Sequence, residues 1–552
     1  MKKTVVIPAA GLGARLGEFT KNYSKAMVTL GKMPIISYII NKFTNNDEII
    51  ILLGYKGDLL KQVVHACHPD KNITFVDVDK YEGEGSGLGY SLHCAYSLLQ
   101  RPFIFWSCDT LLPEFDVDSV QYNDNWAVVS SSQREYFMNY RHMQVDAKSN
   151  VINILPKDIK YADNIYSYTG VSYIKDYETF WKSFDRNQDA FITTGETYGL
   201  VGMNSLRAII DDNWIDAGCR EILEAAKQEY SSKMEETILE KPDEAIWFID
   251  NKVIKFHINE KFISDRVKRY ETMLCEKQIK NGIRLPKMLY SSQNVYVYER
   301  ADGVIASKVI TPTMMIDILN RYLDVDYIIG LPDSDKIAIY TDFYKNKTIS
   351  RINKYCNDNA DIDGACTIND VSCLPATTIV NQINWDSLPM MGVFTNNYHG
   401  DFHLENILVN DNDNQLYGRE YVMLDWRQNF GKTYIGDAYY DIAKMWHSLI
   451  VNHNMVKDNL FTVENISKTN IRIDIHRTYI DSECEKALIE YIKNSTLYNY
   501  ELSELMTALI FLNIAACHTY PYSKFLFYLG KYMINNFYNK HNADINFFKS
   551  EL

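Results

Sequence analysis

Short apolar runs alternate with helix-like segments along the first 230 residues, and this alternation restricts the fold more than any other feature of the chain. Strands that are separated by helix-length segments are typical of a sheet with parallel strands, because each crossover passes through a helix. The pattern therefore predicts an α/β domain. Its predicted strands are residues 4–7, 48–53, 74–78, 103–106 and 126–130.

The chain has 552 residues, which is too long for one hydrophobic core, so we expect two or three domains. The alternation ends in a polar stretch of mixed charge at 227–244. We therefore predict a first domain at 1–230, a linker at 231–244 and a second domain at 245–552. The second domain begins with strand-like pieces at 245–249 and 252–257, a helix-like segment at 264–278 and a hairpin at 294–300.

The overall charge argues against one broad class of function. A net charge of −14 disfavours extended contact with a nucleic-acid backbone, which requires concentrated lysine and arginine. The ten cysteines are scattered without the spacing of a zinc site or a disulfide framework, so reduced thiols are the simple interpretation. We find no signal-peptide pattern and no apolar run long enough to span a membrane. We therefore expect a cytoplasmic protein, and an oligomer remains possible.

A glycine-rich turn directly follows the first predicted strand. Backbone N–H groups of Ala10, Gly11 and Gly13 can converge there on a phosphate chain, and the cations Arg15 and Lys25 follow. The third glycine of the segment comes one residue later than in the dinucleotide-binding motif Gly-x-Gly-x-x-Gly. This spacing disfavours a dinucleotide-binding loop. A triphosphate-binding loop and a plain tight turn remain as interpretations.

The sequence Ala-Ala-Gly-x-Gly-x-Arg-Leu, followed by Lys25, resembles the nucleoside-triphosphate transferase family. This family includes sugar-1-phosphate nucleotidyltransferases and bacterial phosphocholine cytidylyltransferases, and it implies a Rossmann-like sheet. The later segment 83–92 resembles the base-contacting loop of the family, which implies nucleotide binding by Gly85, Ser86 and Gly87. One departure is Ser24, because the family commonly has proline before the lysine.

Two aspartates follow the same resemblance. Asp109 ends the strand predicted at 103–106, and Asp216 lies in a Trp-Ile-Asp-Ala-Gly segment; both resemble metal-binding positions of the family. In nucleotidyl transfer the attacking phosphate is already anionic, so the protein must hold two repelling anions in line. The resemblance therefore implies Mg²⁺ on Asp109 and Asp216, and a triphosphate on Arg15 and Lys25.

A second polar motif lies between 399 and 427. An aspartate and an asparagine lie five residues apart, Asp401 and Asn406, and an apolar strand later ends in Asp425. This spacing suits phosphoryl transfer from ATP, in which one aspartate orients the acceptor hydroxyl and the other two side chains hold Mg²⁺. A metal site built on His399 and His403 is disfavoured, because no cysteine or third histidine lies near them in the sequence.

The motif His-Gly-Asp-x-His-x-x-Asn resembles the aminoglycoside phosphotransferase and choline kinase family, whose fold is a two-lobed, protein-kinase-like α+β domain. The resemblance implies a small lobe at 245–305 and a large lobe at 306–552. It makes Asp401 the candidate base and Asn406 and Asp425 the metal ligands. The remaining candidates are positioning residues, His399, His403 and Asp441, and two ATP-binding residues of the small lobe, Lys255 and Glu299.

The two resemblances together imply consecutive reactions on one substrate. The kinase would phosphorylate a small alcohol with ATP, and the transferase would couple the phosphomonoester to a nucleotide. Choline, ethanolamine or a similar polyol with CTP is favoured, giving a CDP-activated precursor for a cell-surface polysaccharide or lipid. The alternatives are a sugar kinase joined to a sugar-1-phosphate nucleotidyltransferase, and a protein in which one domain is inactive and regulatory.

Aromatic residues following the kinase motif bear on the choice of acceptor. Aromatic faces can bind an ammonium group, and Tyr434, Tyr439, Tyr440 and Trp446 follow the motif. Ordinary packing is the competing interpretation, since the chain contains 40 tyrosines.

Overall fold

The computed structural model describes residues 2–233, 243–271, 282–323, 327–411 and 418–549. The chain divides into two compact units. The first is Met1–Ile263 with Met288–Arg300, and the second is Ser264–Lys287 with Ala301–Leu552. Most of the predicted linker, 234–242, and the end of the predicted helix, 272–278, lie outside the described residues. The boundaries of the catalytic domains therefore stay predictions.

The N-terminal part of the first unit alternates strands and helices. Its strands are β1 (Thr4–Pro8), β2 (Thr29–Leu30), β3 (Met33–Pro34), β4 (Glu48–Leu53), β5 (Ile73–Asp77), β6 (Phe103–Trp106), β7 (Thr110–Leu111), β8 (Trp126–Ser130), β9 (His142–Val145), β10 (Val151–Leu155), β11 (Ile165–Ile174), β12 (Arg207–Ile210) and β13 (Ile215–Asp216). Its helices are α1 (Ile35–Ile40), α2 (Gly57–Cys67), α3 (Leu88–Cys94), α4 (Tyr177–Arg186), α5 (Gln188–Thr194), α6 (Glu196–Val201) and α7 (Arg220–Ser232).

A nine-stranded sheet forms the centre of this region, with β10-β9-β11-β6-β1-β4-β5 in order, with β8 paired to β11 and with β12 paired to β8. Strand β1 pairs in parallel with β4 and β6, and β4 pairs in parallel with β5. The predicted α/β sheet is therefore confirmed, and all five predicted strands are present. Strands β6 and β8 depart in part from the parallel expectation, because each also pairs antiparallel with β11. The other neighbours of these two strands, β1 for β6 and β12 for β8, are parallel.

Both faces of this sheet are covered. Successive residues of a strand point to opposite faces, and here Val5 and Ile7 lie in one core cluster while Val6 lies in another. All three are fully buried. Burial on both faces is what parallel sheets flanked by helices require, and it explains the unbroken apolar runs in the sequence.

The next elements are β14 (Glu244–Ile249), β15 (Lys252–His257), α8 (Glu260–Arg269), β16 (Ile283–Arg284), β17 (Met288–Ser291) and β18 (Val295–Glu299). Strands β14, β15, β18 and β17 form an antiparallel sheet within the first unit. Trp247 and Phe256 of this sheet share a core cluster with Leu60 of α2, and the Trp247 Nε1–H donates to Thr29 Oγ1 at 2.9 Å. The strands that the sequence assigns to a kinase small lobe are thus packed into the same unit as the N-terminal sheet.

The second unit combines many helices with small sheets. Its further strands are β19 (Val304–Ile305), β20 (Cys366–Ile368), β21 (Val371–Cys373), β22 (Phe394–Thr395), β23 (Ile407–Asp411), β24 (Arg419–Met423), β25 (Gly436–Asp437), β26 (Phe461–Asn465) and β27 (Asn470–Ile475). Its helices are α9 (Pro312–Tyr322), α10 (Asp333–Tyr340), α11 (Lys347–Asn359), α12 (Ala376–Gln382), α13 (Ala438–Ile450), α14 (His453–Lys457), α15 (Tyr479–Asn494), α16 (Tyr500–Ala515) and α17 (Tyr522–His541).

The motif residues of the second unit sit around the hairpin β23–β24, which β16 and β19 extend on either side. Helix α16 is buried nearly all round and packs along α17 and α13. Among the described residues, no helix has the length and hydropathy needed to cross a membrane.

Candidate active sites

Asp109 follows β6 at the edge where the parallel strands end. Its carboxylate contacts Lys25 Nζ at 2.8 Å and accepts a hydrogen bond from Ser107 Oγ at 2.6 Å, and an Arg15 guanidinium nitrogen lies 4.0 Å away. Burial alone would raise the pKa of Asp109, but Lys25, Ser107 and Arg15 lower it to about 2. The carboxylate is therefore charged at neutral pH.

Asp216 is brought beside Asp109 by the pairing of β13 with β7. The backbone N–H of Ala217 donates to the Asp109 carbonyl at 2.8 Å. The Asp216 carboxylate accepts hydrogen bonds from the Gly218 N–H at 2.9 Å and from the Tyr140 hydroxyl at 3.0 Å. Burial and then the charge of Asp109 raise the pKa of Asp216. The two neighbouring carboxylates repel each other, and a cation bound between them would reduce this repulsion.

The donor set fits Mg²⁺. This ion uses oxygen ligands and is held in nucleotide enzymes by one or two carboxylates together with substrate phosphates. Asp109 and Asp216 supply two such carboxylates, both less than 10% exposed. Lys25 and Arg15 both approach the Asp109 carboxylate, so their positive charges lie beside the position of a triphosphate bound to the ion.

The loop after β1 holds the predicted phosphate-binding residues Ala10, Gly11 and Gly13. Gly13 has a φ of 67°, in the left-handed region that favours glycine. An added Cβ there would lie 3.1 Å from Lys25 Cβ, whereas a Cβ at the exposed Gly11 would meet nothing within 4 Å. The glycines thus leave backbone open to solvent immediately before the two cations.

The second predicted nucleotide loop precedes α3. Gly85 has a φ of 78°, and the Ser86 hydroxyl donates to the Gly83 carbonyl at 2.7 Å. A Cβ on Gly87 would lie 2.3 Å from the Ile192 carbonyl oxygen, so this glycine allows α3 and α5 to approach closely.

Asp401 lies in the loop before β23. Its carboxylate contacts Lys444 Nζ at 2.7 Å and His403 Nε2 at 3.5 Å. The Asn406 side-chain amide donates to the Asp401 carbonyl at 3.0 Å and contacts His403 Nε2 at 3.1 Å. Burial alone would raise the pKa of Asp401, but Lys444 and His403 hold it well below its usual value. Asp401 is therefore an anion that can accept a hydrogen bond.

Asp441 braces the loop from the first turn of α13. Its two oxygens accept the backbone N–H groups of His399 and Gly400, each at 2.7 Å, and the Tyr322 hydroxyl at 2.6 Å. Asp441 is only 1% exposed, and burial raises its pKa to about 6. The buried His399 ring accepts the Asp401 N–H at 3.2 Å, which is consistent with a positioning role.

Asp425 lies at the open end of the hairpin, two residues after β24. The Leu424 N–H donates to the Asn406 carbonyl at 2.7 Å, so the register of β23 and β24 brings Asn406 and Asp425 to the same end. Asp425 has a φ of 60° and pairs with Arg266 of α8 at 2.5 Å. The structure therefore brings Asp401, Asn406 and Asp425 to the same end of the hairpin, and their roles in phosphoryl transfer stay predictions.

The structure does not place Lys255 and Glu299 in the same compact unit as these three residues. Lys255 lies on β15 opposite Tyr296, and Glu299 lies on β18 opposite Lys252, both in the first unit. Their predicted roles in ATP binding stay predictions.

Several contacts were missed by the sequence reasoning. Lys444 and Arg266 each pair with a motif aspartate, and Tyr140 and Ser107 bond to the two aspartates of the first unit. Lys444 could have been found, because it follows Asp441 by three residues on one helix face. Tyr140 and Arg266 carry no local signal, since they reach their partners only through tertiary packing.

Comparison with known proteins bears on the first unit. Residues 5–145 match the MobA-like NTP transferase domain. The UTP–glucose-1-phosphate uridylyltransferase of Haemophilus influenzae is 31% identical over 144 residues, covering 21% of this chain and 48% of that protein. The Escherichia coli K12 enzyme of the same name is 29% identical over 144 residues, covering 21% of this chain and 47% of that protein. The chain spans about half the length of these curated relatives.

Among solved structures, CTP:phosphocholine cytidylyltransferase from Streptococcus pneumoniae aligns with 20% identity and a TM-score of 0.35, over 42% of this chain and 99% of that chain. A UDP-glucose pyrophosphorylase in complex with UDP-glucose aligns with 17% identity and a TM-score of 0.37, over 42% of this chain and 100% of that chain. The N-terminal region thus contains an NTP transferase domain with sugar nucleotidyltransferase relatives.

Proposed function

We propose that this chain is a bifunctional enzyme that phosphorylates an alcohol and then joins the phosphomonoester to a nucleotide. The kinase step converts R–OH and ATP into R–phosphate and ADP. The nucleotidyl step converts R–phosphate and a nucleoside triphosphate into a nucleoside-diphospho-R and pyrophosphate. The observation that carries the proposal is the buried pair Asp109 and Asp216 with Lys25 and Arg15 beside it.

In the nucleotidyl step this chain supplies charge and position and no nucleophile. The substrate phosphate attacks the α-phosphorus of the triphosphate, and negative charge grows on the departing pyrophosphate. Lys25 and Arg15 would neutralise that charge, while Asp109 and Asp216 would hold Mg²⁺, which would supply Lewis-acid stabilisation of the phosphates. Since Lys25 now contacts Asp109, its ammonium would turn from the carboxylate towards the triphosphate as the substrates enter.

In the kinase step Asp401 would accept a hydrogen bond from the acceptor hydroxyl and take its proton. Its depressed pKa makes it a weak base, so the proton would transfer late, when the oxygen–phosphorus bond has largely formed. Asn406 and Asp425 would hold Mg²⁺ on the ATP phosphates, and Asp441 would keep the loop in place through its two backbone bonds.

The finer substrates are proposals as well. The family resemblances favour choline, ethanolamine or a polyol as the acceptor and CTP as the nucleotide. The product would then serve as a CDP-activated precursor for a surface polysaccharide or lipid. The curated relatives are UTP–glucose-1-phosphate uridylyltransferases, which favours the second candidate, a sugar kinase with a sugar-1-phosphate nucleotidyltransferase. Cytoplasmic location and Mg²⁺ dependence belong to the same proposal.

The test is a two-part assay on the purified full chain with Mg²⁺. Pyrophosphate release is measured with CTP, UTP, GTP and ATP against phosphocholine, phosphoethanolamine, glycerol 3-phosphate and glucose 1-phosphate. ADP release is measured with ATP and the corresponding alcohols, and ³¹P NMR identifies the products. We expect one nucleotide and one phosphomonoester to dominate. Pyrophosphate release without any ADP-producing acceptor would favour the alternative in which the second unit is inactive and regulatory.

A further inference from the structure

A cluster of basic side chains includes the lysine that pairs with the candidate base of the second unit. Lys347 and Arg351 lie one turn apart on α11, Arg427 follows β24, and Lys444 lies on α13. Lys444 is bonded to Asp401 at 2.7 Å. Among the described residues, Lys347, Arg351 and Arg427 have no carboxylate within 4.0 Å. Asp401 pairs directly with one member of the cluster, and the charges of Arg427, Arg351 and Lys444 all act on Lys347.

One of these cations, Arg427, lies against the catalytic loop itself. An added Cβ at Gly400, which has a φ of 82°, would lie 2.4 Å from Arg427 Cβ, and the Arg427 N–H donates to the His399 carbonyl at 2.7 Å. Tyr440 stands one helical turn before Lys444 on α13, and its ring lies 5.3 Å from Lys347 Nζ. One aromatic side chain therefore joins Lys347 to the Asp401–Lys444 pair.

The aromatic faces in this region are already used by the protein. Lys347 Nζ lies 4.0 Å from the centre of the Phe343 ring, and the Arg427 guanidinium lies 5.0 Å from the same ring. An aromatic cage for a substrate ammonium needs rings that the protein's own cations leave open. An ammonium placed here would instead be repelled by Lys347, Arg427 and Lys444.

Neighbouring carboxylates do not neutralise the basic side chains of this cluster. Asp342 pairs with Lys432 at 3.5 Å, and Asp441 is engaged by the backbone of the catalytic loop. Burial, followed by the charges of Arg427, Arg351 and Lys444, lowers the pKa of Lys347 well below its usual value. Lys347 therefore loses its proton more readily than an ordinary lysine, and an anion bound beside it would stabilise its charged form.

We propose that the alcohol phosphorylated at Asp401 carries an anionic group, a carboxylate or a phosphate, which Lys347, Arg351 and Arg427 bind. This inference rests on the kinase reaction proposed above and deepens it. Binding the anion on these cations would place the hydroxyl at Asp401, while Lys444 keeps the Asp401 carboxylate oriented. A cationic acceptor such as choline is disfavoured by the same charges.

The experiment compares acceptors that share a small scaffold and differ in charge. ADP release from ATP is measured with glycerol, D-glycerate, sn-glycerol 3-phosphate and choline, with the wild-type chain and with Lys347→Met, Lys347→Arg and Lys345→Met. Lys345 lies in the π-helical turn Thr341–Asn346 that precedes α11. It is two residues from Lys347 and therefore points to another side, so Lys345→Met is a control of equal charge change.

We expect kcat/KM for D-glycerate or glycerol 3-phosphate to exceed that for glycerol and choline by about tenfold or more. A higher kcat/KM for D-glycerate would identify a carboxylate as the recognised group, and a higher kcat/KM for glycerol 3-phosphate would identify a phosphate. Lys347→Met should remove this preference through the KM of the acceptor and leave the KM of ATP unchanged. Lys347→Arg should retain it, and Lys345→Met should behave as wild type. Because Lys347→Met relieves repulsion, its Tm should not fall, which separates lost recognition from lost folding.

Equal or better use of glycerol or choline would overturn the anionic acceptor while leaving the kinase proposal intact. A rise in the KM of ATP in Lys347→Met would assign the cations to the nucleotide and would also overturn it. If ADP is not released with any probe, calorimetry with D-glycerate, glycerol 3-phosphate and inorganic phosphate decides, with a non-hydrolysable ATP analogue present. Binding that Lys347→Met abolishes supports the anion site even without a kinase, and identical isotherms for the two proteins refute it.

Discussion

Gly218 lies against the Asp109 carboxylate, so closely that an added Cβ on Gly218 would stand 2.4 Å from Asp109 Oδ2. The same Cβ would lie 3.0 Å from an Arg15 guanidinium nitrogen. A glycine is therefore required where the segment after β13 passes the end of β6. This contact ties the metal-binding candidates to the phosphate-binding candidates in one place.

Gly218→Ala should reduce pyrophosphate release by about a hundredfold, because the methyl group must displace the Asp109 carboxylate from Lys25. Phosphorylation of the alcohol should be unchanged, since Asp401 lies in the other unit. Gly202→Ala is the matched control, because its added Cβ would come no closer than 3.7 Å to another atom. Equal activity of the two alanine variants would show that the Asp109 position is not critical.

Asp216→Ala should lower nucleotidyl transfer by about a hundredfold or more, since it removes one of two carboxylates that hold the proposed cation. ATP consumption with the alcohol should persist. Pyrophosphate and ADP release, measured on the same preparation, check both statements. Parallel loss of the two reactions would count against assigning Asp216 to the nucleotidyl step alone.

Asp401→Asn should abolish phosphorylation of the free alcohol, because the amide cannot take the hydroxyl proton, and it should leave transfer to added phosphomonoester near the wild-type rate. The variant also removes the anion that Lys444 pairs with, so circular dichroism should accompany the assay to exclude misfolding. If Asp401→Asn silenced both reactions equally, the division into two sites would be wrong.

Asp441 gives a prediction about pH. Burial raises its pKa from the ordinary value of 3.8 to about 6, so the folded protein binds a proton that the unfolded chain releases in this window. Its contribution to the free energy of unfolding therefore falls as pH rises from about 4 to 6. The kinase rate should show the opposite trend and rise through pH 6, as the deprotonated carboxylate secures the His399 and Gly400 amides.

Asp441→Asn should have a lower kinase rate that lacks this rise. The variant keeps Asp437, whose pKa burial also raises to about 6, so the difference between the two pH profiles isolates Asp441. A wild-type profile that is flat between pH 5 and 7 would remove Asp441 from the role of loop brace.

Sequence patterns predicted the first sheet well because its signal is local. Residues 48–53, 103–106 and 126–130 are continuous apolar runs, and each is a strand with the predicted bounds. The aspartates were found because they follow such strands or lie in short motifs. Partners that arrive from elsewhere in the chain, such as Tyr140 on Asp216, leave no periodic trace in the sequence.

The charge around Asp401 could not have been predicted for the same reason. Lys347 and Arg427 lie 80 residues apart in the sequence, and neither belongs to a recognisable motif with the other. Their proximity to one ring, Phe343, depends on how α11 and the segment after β24 pack. The tyrosines after the motif suggested an aromatic cage, and only the tertiary structure shows that a lysine of the protein, Lys347, lies over the ring of Tyr440.

The sheet of β14, β15, β17 and β18 has a practical consequence for anyone who wants either activity in isolation. Ending expression at residue 230 would strip Trp247 and Phe256 from the apolar surface near Leu60 and leave Thr29 without its indole partner. Such a fragment would expose an apolar surface to solvent and would tend to aggregate. The two reactions should therefore be separated by point substitutions in the full-length polypeptide and not by truncation.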